Sequence, residues 1–179
     1  MSFYELDDTC LNPPQILCTI ELSQSARRAT SRYWFRKEYE MDVKQLAQDT
    51  VDDFNDRSFR QKAKDVADPD IVIIDKPTGQ ELRGVESFVQ YSEGFVTAMP
   101  DLKGEALEHK VNGNTVTTRV HGQGTFTGTL YTPQGTVPGN GNPLDIEYVL
   151  EQEFNEAGKL VRFVVDYNMP DFMRQLGVG

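Results

Sequence analysis

GVESFVQYSEGFVTAMPDLKGEALEHKVNGNTV, residues 84–116, changes its hydrophobic period halfway along, and that change decides the fold. In the first half Val85, Phe88, Val89, Ser92, Phe95, Val96 and Met99 recur at helical spacing. Pro100 stops that helix, because proline has no amide hydrogen to continue it. The second half alternates through Leu107, His109 and Val111, so it reads as a strand. Asn112-Gly113 then predicts a hairpin, since both central positions of a type I′ turn need positive φ. A helix therefore runs into an antiparallel hairpin across one short Pro-Asp-Leu step.

Working outward toward the C-terminus, the chain stays β. Residues 115–129 read as a long strand whose Gly122, Gly124 and Gly128 mark bends or bulges. Residues 132–143 hold three glycines and three prolines and read as a long loop. Leu144, Ile146, Tyr148, Leu150, Gln152 and Phe154 alternate with acids at 145, 147, 151 and 153, which makes a strand with one buried face. Residues 155–159 turn, 160–167 form the last strand, and 169–176 close the chain.

Toward the N-terminus, Val43, Leu46, Ala47, Thr50, Val51 and Phe54 give one apolar helical face, and residues 58–67 a second, shorter helix. Ile71-Val72-Ile73-Ile74 is a β-branched strand, and after Pro77-Thr78-Gly79 residues 81–83 pair back onto it. The sum is an α+β domain over residues 41–179. Its expected form is a strongly curved antiparallel sheet wrapped around three N-terminal helices, leaving a conical cavity between the layers.

Composition sets the outer limits. The 179 residues suffice for one domain with a sizeable core, and 38% hydrophobic against 26% charged residues is a globular balance. No apolar run reaches the length of a membrane span. The first twenty residues carry acids and no base, unlike a secretory signal, and the two cysteines, Cys10 and Cys18, fit a reduced cytoplasm. A net charge of −10 repels phosphate backbones and anionic lipid, so neither nucleic acid nor a membrane is the expected partner. Residues 1–40 form a separate N-terminal extension. Its Arg27, Arg28, Arg32, Arg36 and Lys37 surround Tyr33-Trp34-Phe35, which serve either RNA or a partner, or packing on the domain or on a second subunit.

The 84–116 stretch resembles the helix, Pro-Asp-Leu step and hairpin of the SnoaL-like polyketide cyclase family, within the nuclear-transport-factor-like superfold. GQGTFTGTL (residues 122–130) is similar to that family's Gly-Thr-His-x-Gly strand, and NEAGKLVRFVVDYNMPDFMRQLG (155–177) to its final hairpin and Gln-Leu-Gly terminus. The resemblance covers residues 41–177. It implies acid–base chemistry without a cofactor, in which an Asp on the last strand moves a proton beside a carbonyl. It also implies a homodimer with the outer face of the sheet covered. Counted without gaps, the family's catalytic Asp falls on Val165, and a one-residue bulge brings Asp166 there instead. The histidine of the Gly-Thr-His strand is Phe126, and a histidine often found one strand earlier falls near Glu151 or Gln152.

Asp166, near a strand end, is therefore the candidate general acid/base or else an exposed carboxylate. His109, in register with Leu107 and Val111, is a second catalytic candidate or a hydrogen-bonded core residue. Gln152 and Tyr148 lie on an apolar strand face where a polar group needs a partner, and with Phe126, Tyr167 and Asn168 they make the expected substrate contacts. His109 and His121 lack metal-ligand spacing, and no Gly-rich phosphate loop or nucleophile elbow occurs. Two functions remain open. One is a cofactor-independent isomerase, cyclase or hydratase acting on an apolar polyketide- or terpenoid-like carbonyl compound. The other is an inactive ligand-binding or assembly module of the same fold.

Overall fold

A computed structural model describes residues 41–132 and 135–178, and the N-terminal extension with its basic aromatic segment lies outside them. Helix α1 (Val43–Asp56) starts where the Asp42 carboxylate accepts the Gln45 amide at 3.0 Å, satisfying one of the orphan donors of a first turn. It ends at Arg57, which sits in the left-handed region at φ 68°. That strained backbone is held by its own guanidinium, which donates to the carbonyls of Phe54, Pro100 and Leu102. Arg57 thus ties the end of α1 to the Pro-Asp-Leu step. On the other side of that step the Asp101 carboxylate accepts from the Thr125 amide and hydroxyl, each at 2.7 Å.

Helix α2 (Phe59–Val66) leads into β1 (Ala67–Asp75), β2 (Gln80–Arg83) pairs back on it, and α3 (Val85–Ala98) follows. The remaining strands are β3 (Lys103–Asn112), β4 (Thr115–Phe126), β5 (Thr129–Thr132), β6 (Gly135–Pro138), β7 (Asn142–Phe154) and β8 (Leu160–Tyr167), before helix α4 (Met169–Leu176). Six strands form one curved sheet in the order β2-β1-β8-β7-β4-β3.

Three features differ from the sequence reading. The sheet is mixed, because β1 lies parallel to β8, with Asp75 opposite Val165. The predicted strand 115–129 stops at Phe126, and the expected loop 132–143 holds β6, which pairs with β5 just before it in a hairpin. The break falls where Gly128 passes so close to the end of α3 that a Cβ there would overlap the Thr97 carbonyl oxygen. Finally, residues 169–176 are a helix, capped by the Asn168 side chain on the Asp171 amide.

Strand alternation sorts the sheet into two faces. Val116, Val120, Leu150, Phe154, Ile73, Phe163 and Val165 point inward and pack against Val43, Ala47 and Val51 of α1 and Phe88 of α3. A second cluster, around Met99, Phe126, Leu144, Ile146, Phe172 and Leu176, closes the other end of the sheet. The helices stand off part of the concave face, and the space between them and the sheet is the cavity.

Candidate functional site

The cavity encloses about 100 Å³ between the inner sheet face and α1, α3 and α4. Its walls are apolar: Val51 and Phe54 from α1, Phe88 and Phe95 from α3, Leu150 and Phe163 from the sheet, and Phe172 from α4. Thr50 and Ser92 also line it, but both hydroxyls donate back into their own helices, to Leu46 and Phe88 carbonyls. The polar groups left to meet a ligand are three phenols, Tyr91, Tyr148 and Tyr167.

Two of these phenols share one buried carboxylate. Asp75 is the last inward residue of β1, only 4% exposed. Its Oδ1 accepts the Thr78 amide at 3.1 Å, so the Pro77-Thr78-Gly79 turn fixes its orientation. Its Oδ2 accepts the Tyr91 hydroxyl at 2.9 Å and the Tyr167 hydroxyl at 3.5 Å. No cation pairs with Asp75 among the described residues; the neighbouring Lys76 faces Asp166 instead. Burial, then the Asp75 charge, pushes both phenols well above the ordinary tyrosine value, so each stays a neutral donor. The result is a carboxylate reached from an apolar cavity through two hydroxyl groups.

The sequence pattern held a signal for this cluster that parity alone reveals. Ile71, Ile73 and Asp75 share one face of β1, so the acid ends an inward row. Tyr91 lies three residues beyond Phe88 and four before Phe95, on the cavity face of α3.

The sequence-derived candidates separate in space. Tyr148 and Tyr167 line the cavity. Asp166 does not: β8 runs against β7 in unbroken register from Arg162 to Tyr167, so Val165 points into the cavity and Asp166 points out. The bulge needed to bring Asp166 inward is absent there, the register shift in β8 lying back toward Leu160. The Asp166 side chain is 51% exposed and faces Lys76 at 3.5 Å. Phe126 is fully buried in the second core cluster, and Asn168 caps α4.

His109 faces inward at the β3 edge, bonded to Thr118 at 2.9 Å and Gln48 at 3.0 Å. Gln48 donates its amide to Asp52, so its oxygen faces the imidazole and accepts from Nε2–H, leaving Nδ1 to accept from Thr118. Gln152 is wholly buried, and neither amide atom has a hydrogen-bond partner among the described residues. Its neighbours Leu150 and Phe163 line the cavity. No cluster of three or more His, Cys, Asp or Glu side chains is arranged for a metal ion among the described residues.

The two histidines should titrate on opposite sides of the ordinary 6.5. Burial, with Lys44 nearby, lowers His109, so its contribution to stability is present above 6.5 and is lost as pH falls through its lowered value. The Asp145 hydrogen bond raises half-buried His121, and that contribution fades as pH rises through its raised value. Two imidazole resonances followed by NMR across pH 4–9 check this; coincident midpoints contradict it.

A curved sheet with helices packed over its inner face around an apolar cavity is a ketosteroid-isomerase-like fold. The chain belongs to the SnoaL-like polyketide cyclase family, whose model matches residues 45–176. No curated protein matches it. Among solved structures it is similar to a protein designated a SnoaL-like polyketide cyclase from Jannaschia sp. CCS1, at 15% identity and TM-score 0.69, covering 76% of this chain and 92% of that one. It is similar also to IdmH of Streptomyces antibioticus, designated a polyketide cyclase, at 19% identity and TM-score 0.63, covering 76% and 99%. AclR of Streptomyces galilaeus, designated a hydroxylase, is 25% identical at TM-score 0.61, covering 75% and 80%. Among the described residues no helix is long and apolar enough to cross a membrane.

Proposed function

We propose that the cavity receives a mostly apolar compound bearing a carbonyl, and that the protein moves a proton beside that carbonyl without a cofactor, as an isomerase, cyclase or hydratase. The observation that carries this reading is the Asp75 carboxylate, buried and shared by two cavity-lining phenols. Tyr167 has the longer contact and is the easier of the two to turn from Asp75 to a ligand oxygen. Its hydroxyl then donates to the carbonyl, and the lone pair it leaves on Oδ2 accepts the proton from the adjacent carbon. The enolate oxygen so formed is held by Tyr167 in a water-poor site, where such a hydrogen bond counts for more than in water. Returning the proton from Asp75 to another carbon isomerises the compound; attack of the enolate carbon on a second carbonyl closes a ring, and the proton held by Asp75 passes to the alkoxide that forms there.

This assignment gives the acid–base role to Asp75 rather than to Asp166 or His109: none of the three lines the cavity, but only Asp75 is hydrogen-bonded to residues that do, Tyr91 and Tyr167. Gln152 does not line the cavity but stands beside Leu150 and Phe163, which do, and its amide costs stability unless something polar answers it. The compound envisaged is polyketide- or terpenoid-like. The cavity is smaller than the roughly 150 Å³ that holds benzene, so ligand entry displaces aromatic side chains such as Phe54 and Phe95.

Acetophenone in D₂O is a direct test. The protein should bind it and speed exchange of its methyl protons, followed by NMR. Binding without any exchange would favour the second reading, an inactive ligand-binding module, which Val165 and Phe126 at the places implied for the family's catalytic residues already support. The protein further reads as a cytoplasmic homodimer without a nucleic-acid or membrane partner. Val72, Ile74 and Val149 on the outer sheet face, partly exposed beside the Arg162–Glu151 and Lys76–Asp166 pairs, would meet the second copy.

A further inference from the structure

Tyr148 lies across the sheet on two glycines. Gly104 of β3 and Gly122 of β4 are direct cross-strand partners, and Gly122 faces Ile146 in the next pair, two residues from Tyr148 on β7. A Cβ on Gly122 would stand 2.9 Å from the ring's Cε1, and a Cβ on Gly104 would stand 2.9 Å from the hydroxyl oxygen. Only a strand pair without side chains at both positions lets the ring lie there. The cradle is also pinned: the Asn55 side chain of α1 donates to the Gly104 carbonyl and accepts from its amide, each at 2.8 Å.

The hydroxyl held so firmly has nothing to hold in turn. Among the described residues it makes no hydrogen bond, and burial alone pushes the phenol up to about 12. It lies over β3, whereas Asp75 ends β1, and β8, β7 and β4 separate the two. The cavity therefore has two polar ends with an apolar middle.

We propose that Tyr148, set by the Gly104–Gly122 cradle, is a second ligand-recognition group, so that the cavity selects compounds with a further oxygen function remote from the carbonyl held at Asp75. This rests on the reading of the cavity as the ligand site. The remote oxygen is a hydroxyl or carbonyl, which either accepts from the phenol or donates to it. A half-buried phenol left without a partner against a ligand lacking that oxygen is the source of discrimination.

Matched probes separate the two claims: acetophenone, with one oxygen, and 4-hydroxyacetophenone, with a second across the ring. NMR titration should show the wild-type protein binding the hydroxylated probe roughly three- to tenfold more tightly, the range one net hydrogen bond supplies. Tyr148→Phe should abolish that preference, the two probes then binding the variant with equal affinity. Gly122→Ala, which must push the ring aside, should abolish the preference too. Equal affinity of both probes for the wild type, unchanged in Tyr148→Phe, overturns the second subsite and leaves the cavity standing. Binding of neither probe overturns the cavity reading, and the subsite with it.

Discussion

Asp75→Asn is expected to slow exchange of the acetophenone methyl protons by about 10²–10⁴-fold, the range a positioned general base supplies. The substitution is nearly isosteric. Its amide oxygen can still accept from Tyr91 or from the Thr78 amide, so the turn after β1 and the aromatic packing above it survive. What it removes is the ability to accept a proton from carbon. The loss should therefore appear in turnover, with probe affinity changed by no more than about threefold and the circular dichroism spectrum unaltered. Asp166→Asn should leave exchange untouched, because that side chain stands on the outer face against Lys76. The reverse pattern, exchange lost with Asp166 and kept without Asp75, would return the chemistry to the last strand.

The second large effect concerns the frame. Gly128→Ala should destabilise the protein by about 3–5 kcal/mol, among the larger costs of a single substitution. The added methyl would overlap the Thr97 carbonyl, a backbone atom that no rotamer change can move. The Gly128 amide also donates to the Ala98 carbonyl at 2.9 Å, and that bond joins β5 to the end of α3. Separating them opens the cluster of Met99, Phe126 and Leu144 beneath. Denaturant or thermal unfolding reads the cost, with the midpoint falling by roughly 10 °C for a chain of this size. A change within 1 kcal/mol would mean that the β5–β6 hairpin does not rest on α3.

Most of the fold was readable from periodicity. The helical spacing from Val85 to Met99 and the alternation from Leu144 to Phe154 each correspond to one regular element. The parallel β1–β8 pair was not readable, because pairing between residues ninety apart leaves no trace in local pattern. Nor was the β5–β6 hairpin, where proline and glycine mark turns without saying whether strands lie between them.

The site was readable only in part, and the reason is geometric. Resemblance drew attention to Asp166 on the last strand, yet alternation there turns Val165 inward. The inward acid stands one strand over, at the end of the Ile71–Ile73 row, and only the β1–β8 register brings it to Tyr167. Tyr148 was visible as a polar residue on an apolar face. Its seat on Gly104 and Gly122 depends on the register of β3, β4 and β7 together.

A crystal structure of the protein soaked with 4-hydroxyacetophenone tests the central claim most directly. The account predicts the ligand between α3 and the inner sheet face, its carbonyl oxygen about 3 Å from the Tyr167 hydroxyl and its methyl group toward Asp75. A ligand bound outside the cavity, or inside it with the carbonyl turned away from both residues, would contradict the account.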